Sequence, residues 1–148
     1  MNSFIRIIRH PYEEPHHLNL VVVASDGQVE GSLEIYENAI ELTEIADRLE
    51  NFPKDCTDQY LWELGSKQPD DNFAFYFRLN VSQMDSTGNC SIQICMKNNS
   101  NVNQNDMIDI SISASKEEIN LLGKLFREFA KLENTELEWT IPHVLEFK

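Results

Sequence analysis

Cysteine, glycine and basic side chains are scarce in this chain, and long apolar runs are missing. The three cysteines, Cys56, Cys90 and Cys95, are an odd number. Cys90 and Cys95 fall on opposite faces of one strand-like stretch, so they are poorly placed to bridge each other. That pattern predicts free thiols in a reducing cytosol instead of a disulfide framework. The five glycines include none at the spacing that cradles a phosphate. The longest unbroken apolar run, Leu20-Val21-Val22-Val23-Ala24, is far shorter than the roughly 20 residues that cross a bilayer. No small-residue cleavage site follows MNSFIRIIRHPYEEP, so no secretory leader is expected. The twelve basic residues face twenty-five acids, a formal charge of −13. A phosphate backbone or an anionic membrane would be repelled at long range, and a basic protein would be drawn in.

What is present is a globular composition, 41% apolar and 25% charged, over 148 residues. That is enough chain to bury a core, and one α+β domain over 1–148 is the economical reading. Within it, 1–17 reads as an N-terminal segment and loop, and 140–148 as a C-terminal tail.

Strand and helix periods alternate along the sequence. LNLVVVAS (18–25) is β-branched, Asp26-Gly27 supplies a hairpin turn, and Val29, Gly31, Leu33 and Ile35 alternate with polar neighbours. The period then becomes helical. Asn38 can cap with Glu41 three residues on, Leu42, Ile45, Ala46 and Leu49 form the stripe, and Phe52-Pro53 ends it. QYLWELG is an edge strand or an irregular edge. In NFAFYFRLNVSQM, Phe73, Phe75, Phe77, Leu79 and Val81 share one face and Ala74, Tyr76, Arg78, Asn80 and Ser82 the other. Asp85–Gly88 reads as a turn. NCSIQICMK and MIDISISA then alternate again. Ser115 and Glu118 form a capping box for a helix with Ile119, Leu122, Leu125, Phe126 and Phe129 on its apolar stripe, and LEWTIPHVLEF adds a last edge strand. Two helices are too few to cross over between parallel strands. The expectation is therefore a mainly antiparallel, meandering sheet of about six or seven strands, with both helices on one face.

Candidate chemistry is thin. HPYEEPHH (10–17) gathers His10, Glu13, His16 and His17, ligand-type residues between two prolines. A zinc site needs three or four of them to converge, but the prolines stiffen the segment and adjacent His16 and His17 tend to point apart, so a turn is the expected reading. Cys56 sits beside two aspartates, which would raise a thiol's pKa, the wrong direction for a nucleophile. No serine occupies a glycine-framed elbow. Glu13-Glu14, Asp70-Asp71 and Glu117-Glu118 read as solvated or first-turn charges, Met84, Met96 and Met107 as filler, and Trp62 and Trp139 as packing residues.

LNLVVVASDGQVEGSLEIY, the FAFYFRL strand, DSTGNCSIQI and the helix ending LFREFAKL together resemble an uncharacterised bacterial family of small acidic α+β proteins, over Leu18 to about Trp139. The chain is also similar to immunity proteins of bacterial toxin systems, including contact-dependent inhibition. The resemblance implies a non-catalytic, cytoplasmic protein that binds a basic toxin, and it carries no site residue with it. Charge and pattern agree with that role: no catalytic set, no cofactor and no metal are expected. The expected partner is a basic protein, with neither nucleic acid nor membrane, bound on an open sheet face by Glu30, Glu34, Tyr36, Tyr76, Arg78 and Asp109. The competing readings are a small metal- or ligand-dependent enzyme using His10, Glu13 and His16, and a homodimer or other oligomer paired through an exposed edge strand.

Overall fold

In the computed structural model, which describes residues 2–11, 16–66, 74–98 and 107–142, the chain is α+β with eight strands and two helices. The strands are β1 (Asn2–His10), β2 (Leu18–Ser25), β3 (Glu30–Glu37), β4 (Gln59–Gly65), β5 (Phe75–Gln83), β6 (Asn89–Asn98), β7 (Met107–Ser115) and β8 (Glu136–Pro142). The helices are α1 (Ala39–Glu50) and α2 (Lys116–Phe129). Every strand pairing is antiparallel, but the strands divide into two sheets of four, ordered β3-β2-β1-β8 and β4-β5-β6-β7.

The single sheet of six or seven strands is thus corrected to two sheets, and the N-terminal segment to a full strand. β1 lies at the centre of the first sheet, between β2 and β8. Its inward residues, Ser3, Ile5, Ile7 and Arg9, are buried. Phe4 and Ile8 on the opposite face are apolar too, which erases the alternation that would mark a half-buried strand. Arg9 tolerates burial because its head group donates to the Asn134 carbonyl (Nη2 to O 3.0 Å) while its backbone N–H donates to Thr135 O at 2.8 Å. The tail from residue 140 likewise begins inside β8, while 143–148 lie outside the described residues.

The local signals act as their chemistry dictates. Asp26 Oδ1 accepts from the Gln28 and Val29 amides, and Gly27 supplies the positive φ of 98° that turns β2 into β3. Asn38 caps α1 by accepting from Glu41 N at 2.8 Å. Ser115 and Glu118 form the reciprocal box, at 3.1 and 2.8 Å. Trp62, Trp139 and Cys90 are core residues. Cys56, Cys90 and Cys95 are all free thiols, the first exposed and the other two buried.

The inner faces of both sheets and the apolar stripes of both helices form one cluster, from Ile5 and Leu20 on one sheet to Phe77 and Ile92 on the other and Leu49 and Phe126 on the helices. β3, an edge strand, approaches β5, β6 and β7 and so crosses the second sheet; Gly31 leaves room there for Ile108, whose Cδ1 lies 3.1 Å from where a Cβ would sit. The helices pack on each other along their length, with α2 against β8 and β7 and α1 against β4. No helix among the described residues is long and apolar enough to cross a membrane.

Candidate functional site

The six residues expected to share one sheet face are divided by the fold. Glu30, Glu34 and Tyr36 project from the outer face of β3, and all three are exposed. Tyr76, Arg78 and Asp109 belong to the other sheet. Tyr76 is 4% exposed, and its hydroxyl donates to Glu63 Oε2 at 2.6 Å. Burial, followed by that hydrogen bond, pushes the hydroxyl up to about 12. Arg78 lies in register with Glu63 on one side and Cys95 on the other, and Asp109 is one strand further on. Alternation separates these residues from the apolar face of their own strands, but it does not say which sheet the face belongs to, nor that Tyr76 is buried.

His10, His16 and His17 are exposed, and Glu13 lies outside the described residues. Among the described residues, no group of three or more His, Cys, Asp or Glu side chains is placed to hold a metal ion.

A groove does form where α1 packs on the edge strand β4. One hollow of about 440 Å³ is lined by Glu41, Glu44, Asp47, Arg48, Tyr60 and Leu61. A second, of about 580 Å³, continues from Asp47 and Arg48 to Asn51, Pro53 and Lys54. The helix supplies the carboxylates through its own period: residues 41, 44 and 47 recur every three residues, and Glu37 at the end of β3 precedes them by four, so one stripe of the α1 end of the molecule is acidic. β4 supplies the floor. Tyr60 is half-buried, with the Arg48 guanidinium 5.1 Å above its ring, and Leu61 is 53% exposed.

The guanidinium that lines both hollows is already engaged. Arg48 donates to Asp58 Oδ1 and to the Gln59 carbonyl, both at 2.9 Å. Arg127 of α2 reaches Glu50 (2.8 Å) and Asp47. Glu41 and Glu44 have no lysine or arginine at ion-pair distance among the described residues. Their field reaches inward. The Tyr60 hydroxyl is raised above its ordinary value of 10.0, first by burial and then by Glu41, with Arg48 opposing and Glu37 and Glu44 adding. Glu37, which accepts from Trp62 Nε1 at 2.9 Å, is also raised, chiefly by burial. The Trp62 and Asn38 hydrogen bonds pull it down, and Glu41 and Glu44 push it up further.

Glu37 therefore holds its proton more tightly folded than unfolded. The folded state binds the extra proton in the window above the ordinary value of 4.5, so stability falls as pH rises through that window. Glu37→Gln keeps an acceptor for Trp62 and removes the titration. Its stability relative to the parent should climb between acid and neutral pH, read from urea midpoints at each pH; a difference that is flat or falls with pH would contradict the assignment.

The signal for this groove was present in the sequence as the like-charged stripe Glu37, Glu41, Glu44 and Asp47. What hid it was β4, whose short and irregular pattern gives no hint that Tyr60 and Leu61 lie opposite that stripe. Comparisons with protein-family models, curated proteins and solved structures return no match.

Proposed function

We propose that the chain is a non-catalytic, cytoplasmic binding module that captures a cation-rich protein, most concretely an immunity-type protein that neutralises a basic toxin. The observation that carries this reading is the α1–β4 groove, where Glu41 and Glu44 have no cationic partner among the described residues and stand beside exposed Leu61 and half-buried Tyr60. Carboxylates left unpaired next to an aromatic and an aliphatic anchor suit a lysine- or arginine-bearing surface. The net charge of −13 would steer such a partner and speed its encounter. Ile40, 71% exposed at the start of α1, extends the apolar part of the same end. A toxin that acts on nucleic acid commonly holds phosphate with a basic surface, and an acidic cover over that surface would block it without any chemistry of its own.

The test is capture from the native host followed by binding measurements on the recovered protein. The expected partner is basic, its association rate falls steeply with salt, and co-expression of the chain relieves its toxicity. Glu41→Lys with Glu44→Lys should weaken binding about tenfold or more, against a matched Glu117→Lys and Glu128→Lys variant on the solvent side of α2. An acidic or small-molecule partner, or salt-independent capture, would overturn the reading.

A further inference from the structure

The outer face of the first sheet has the layout of a docking surface. α2 packs against β8 of this sheet, and the apolar stripes of both helices lie in the core with the sheet's inner face. On the outer side the strand register places Ile8 beside Val21, and Arg6 beside Val23, with Phe4 at the next outward position of β1. These central residues are all partly exposed, so β1 and β2 present an apolar strip interrupted by one guanidinium. The edge strands carry acids at the matching positions: Glu34 opposite Val21 and Glu30 two residues before Ser32 on β3, Glu136 opposite Ile8 and Glu138 opposite Arg6 on β8. All four glutamates are exposed. Arg6 Nε lies 3.8 Å from Glu136 Oε1, the single ion pair across this face among the described residues.

The dimensions narrow the occupant. β3 and β8 are three strand spacings apart, about 14 Å. An α-helix with its side chains is roughly 10–12 Å across, so it fits between the two acidic rails with its axis along the strands. An apolar stripe on that helix would meet Val21, Val23 and Ile8, and lysines or arginines on its two flanks would reach the rails. A second copy of this chain would bring four glutamates onto four glutamates, which disfavours self-pairing here. We propose that the outer face of the β3-β2-β1-β8 sheet docks a cationic amphipathic helix of a partner protein. The proposal rests on the reading of a basic partner, but it assigns that partner a contact separate from the α1–β4 groove.

The nine residues of β1 span about 30 Å, the length of a helix of about 20 residues. The probe is accordingly a synthetic peptide of about that length, with leucines on one helical stripe and lysines elsewhere, compared with a scrambled peptide of the same composition. Titrated into the full chain, the striped peptide should bind about tenfold tighter than the scrambled one and lose that advantage in Glu34→Lys with Glu136→Lys. The neutral pair Glu34→Gln with Glu138→Gln should show a smaller loss in the same direction, and serves if the reversed variant does not fold. Glu117→Lys with Glu128→Lys, the same change in net charge elsewhere, should retain the preference. Equal binding of the two peptides, or equal losses in the rail and control variants, would overturn the proposal. So would sedimentation showing that the rail variants only dissociate a dimer. If the natural partner proves basic and salt-sensitive yet indifferent to the rail variants, this docking face fails while the functional reading stands; a partner that is not basic removes both.

Discussion

Replacing Phe126 with alanine should cost about 3–5 kcal/mol of folding stability, the range for emptying a fully buried aromatic site. Phe126 is 0% exposed and stands at the meeting point of three elements. Its ring lies 5.8 Å from the Trp62 ring at 90°, and Trp62 in turn meets Phe77 at 4.8 Å and 71°. This edge-to-face chain joins α2 to β4 and β5, so alanine would remove contacts that no neighbouring side chain can restore without shifting a sheet or a helix. The consequence also reaches the groove. Trp62 holds Glu37 through its indole N–H, and a Trp62 ring without its packing partner would hold that carboxylate less firmly. Urea unfolding followed by tryptophan emission checks both effects. The midpoint should drop sharply with the slope unchanged, and the native emission should shift as Trp62 gains freedom. A loss below about 1 kcal/mol would mean that this site collapses around the deletion and that the three-ring chain is not what unites the layers.

The legible and illegible parts of the fold separate along physical lines. Signals that act within a few residues could be read directly: the Asp26-Gly27 turn, the Asn38 cap and the Ser115–Glu118 box each satisfy backbone groups close in sequence. Alternation also placed Leu33, Ile35, Phe77, Leu79, Ile110 and Ile112 inward, where they are buried. Partition of the strands between sheets is not a local property. β1 finds its neighbours in β2 and, from the far end of the chain, β8; nothing in residues 2–10 encodes the second pairing. Because β1 is apolar on both faces, even its existence as a strand was masked. The same limit governs the site. Period two assigned Glu30, Tyr76, Arg78 and Asp109 to outward faces, but the division into two sheets moved Glu30 away from the other three, and Tyr76 was then covered and bound to Glu63. The acidic groove needed α1 and β4 to meet, a tertiary event that Arg48 ties down from nearby in sequence by pairing with Asp58 and Gln59 across the connection.

A second large effect is expected where intrinsic preference and packing oppose each other. Alanine is favoured over glycine in a helix interior by about 1 kcal/mol, so Gly123→Ala in the middle of α2 would be stabilising if the helix were considered alone. The position against α1 reverses the sign. A Cβ at residue 123 would lie 2.5 Å from Glu50 N, 2.8 Å from the Leu49 carbonyl carbon and 2.9 Å from Leu49 Cβ. Two of these obstacles are backbone atoms, which cannot rotate aside, so the helices must part. Parting them disturbs the polar contacts on both sides of the glycine. Asn120 Nδ2, one turn earlier, donates to the Leu49 and Phe52 carbonyls at 2.9 and 2.8 Å and so satisfies the end of α1. Arg127, one turn later, forks onto Glu50 at 2.8–3.1 Å. Overpacking of this kind costs about 1–3 kcal/mol, and weakening the Asn120 pair adds about 1 kcal/mol for each buried carbonyl left short. After the helix preference is subtracted, the net loss should be about 2–4 kcal/mol, a fall in melting temperature of roughly 5–15 °C. Asn120→Ala alone should lose less, and the double variant should fall short of the sum, because the glycine substitution has already pulled Asn120 from its acceptors. Thermal melts of the three variants decide the matter. A Gly123→Ala protein as stable as the parent, or more so, would show that α1 and α2 are not locked at this contact and that propensity governs the seam.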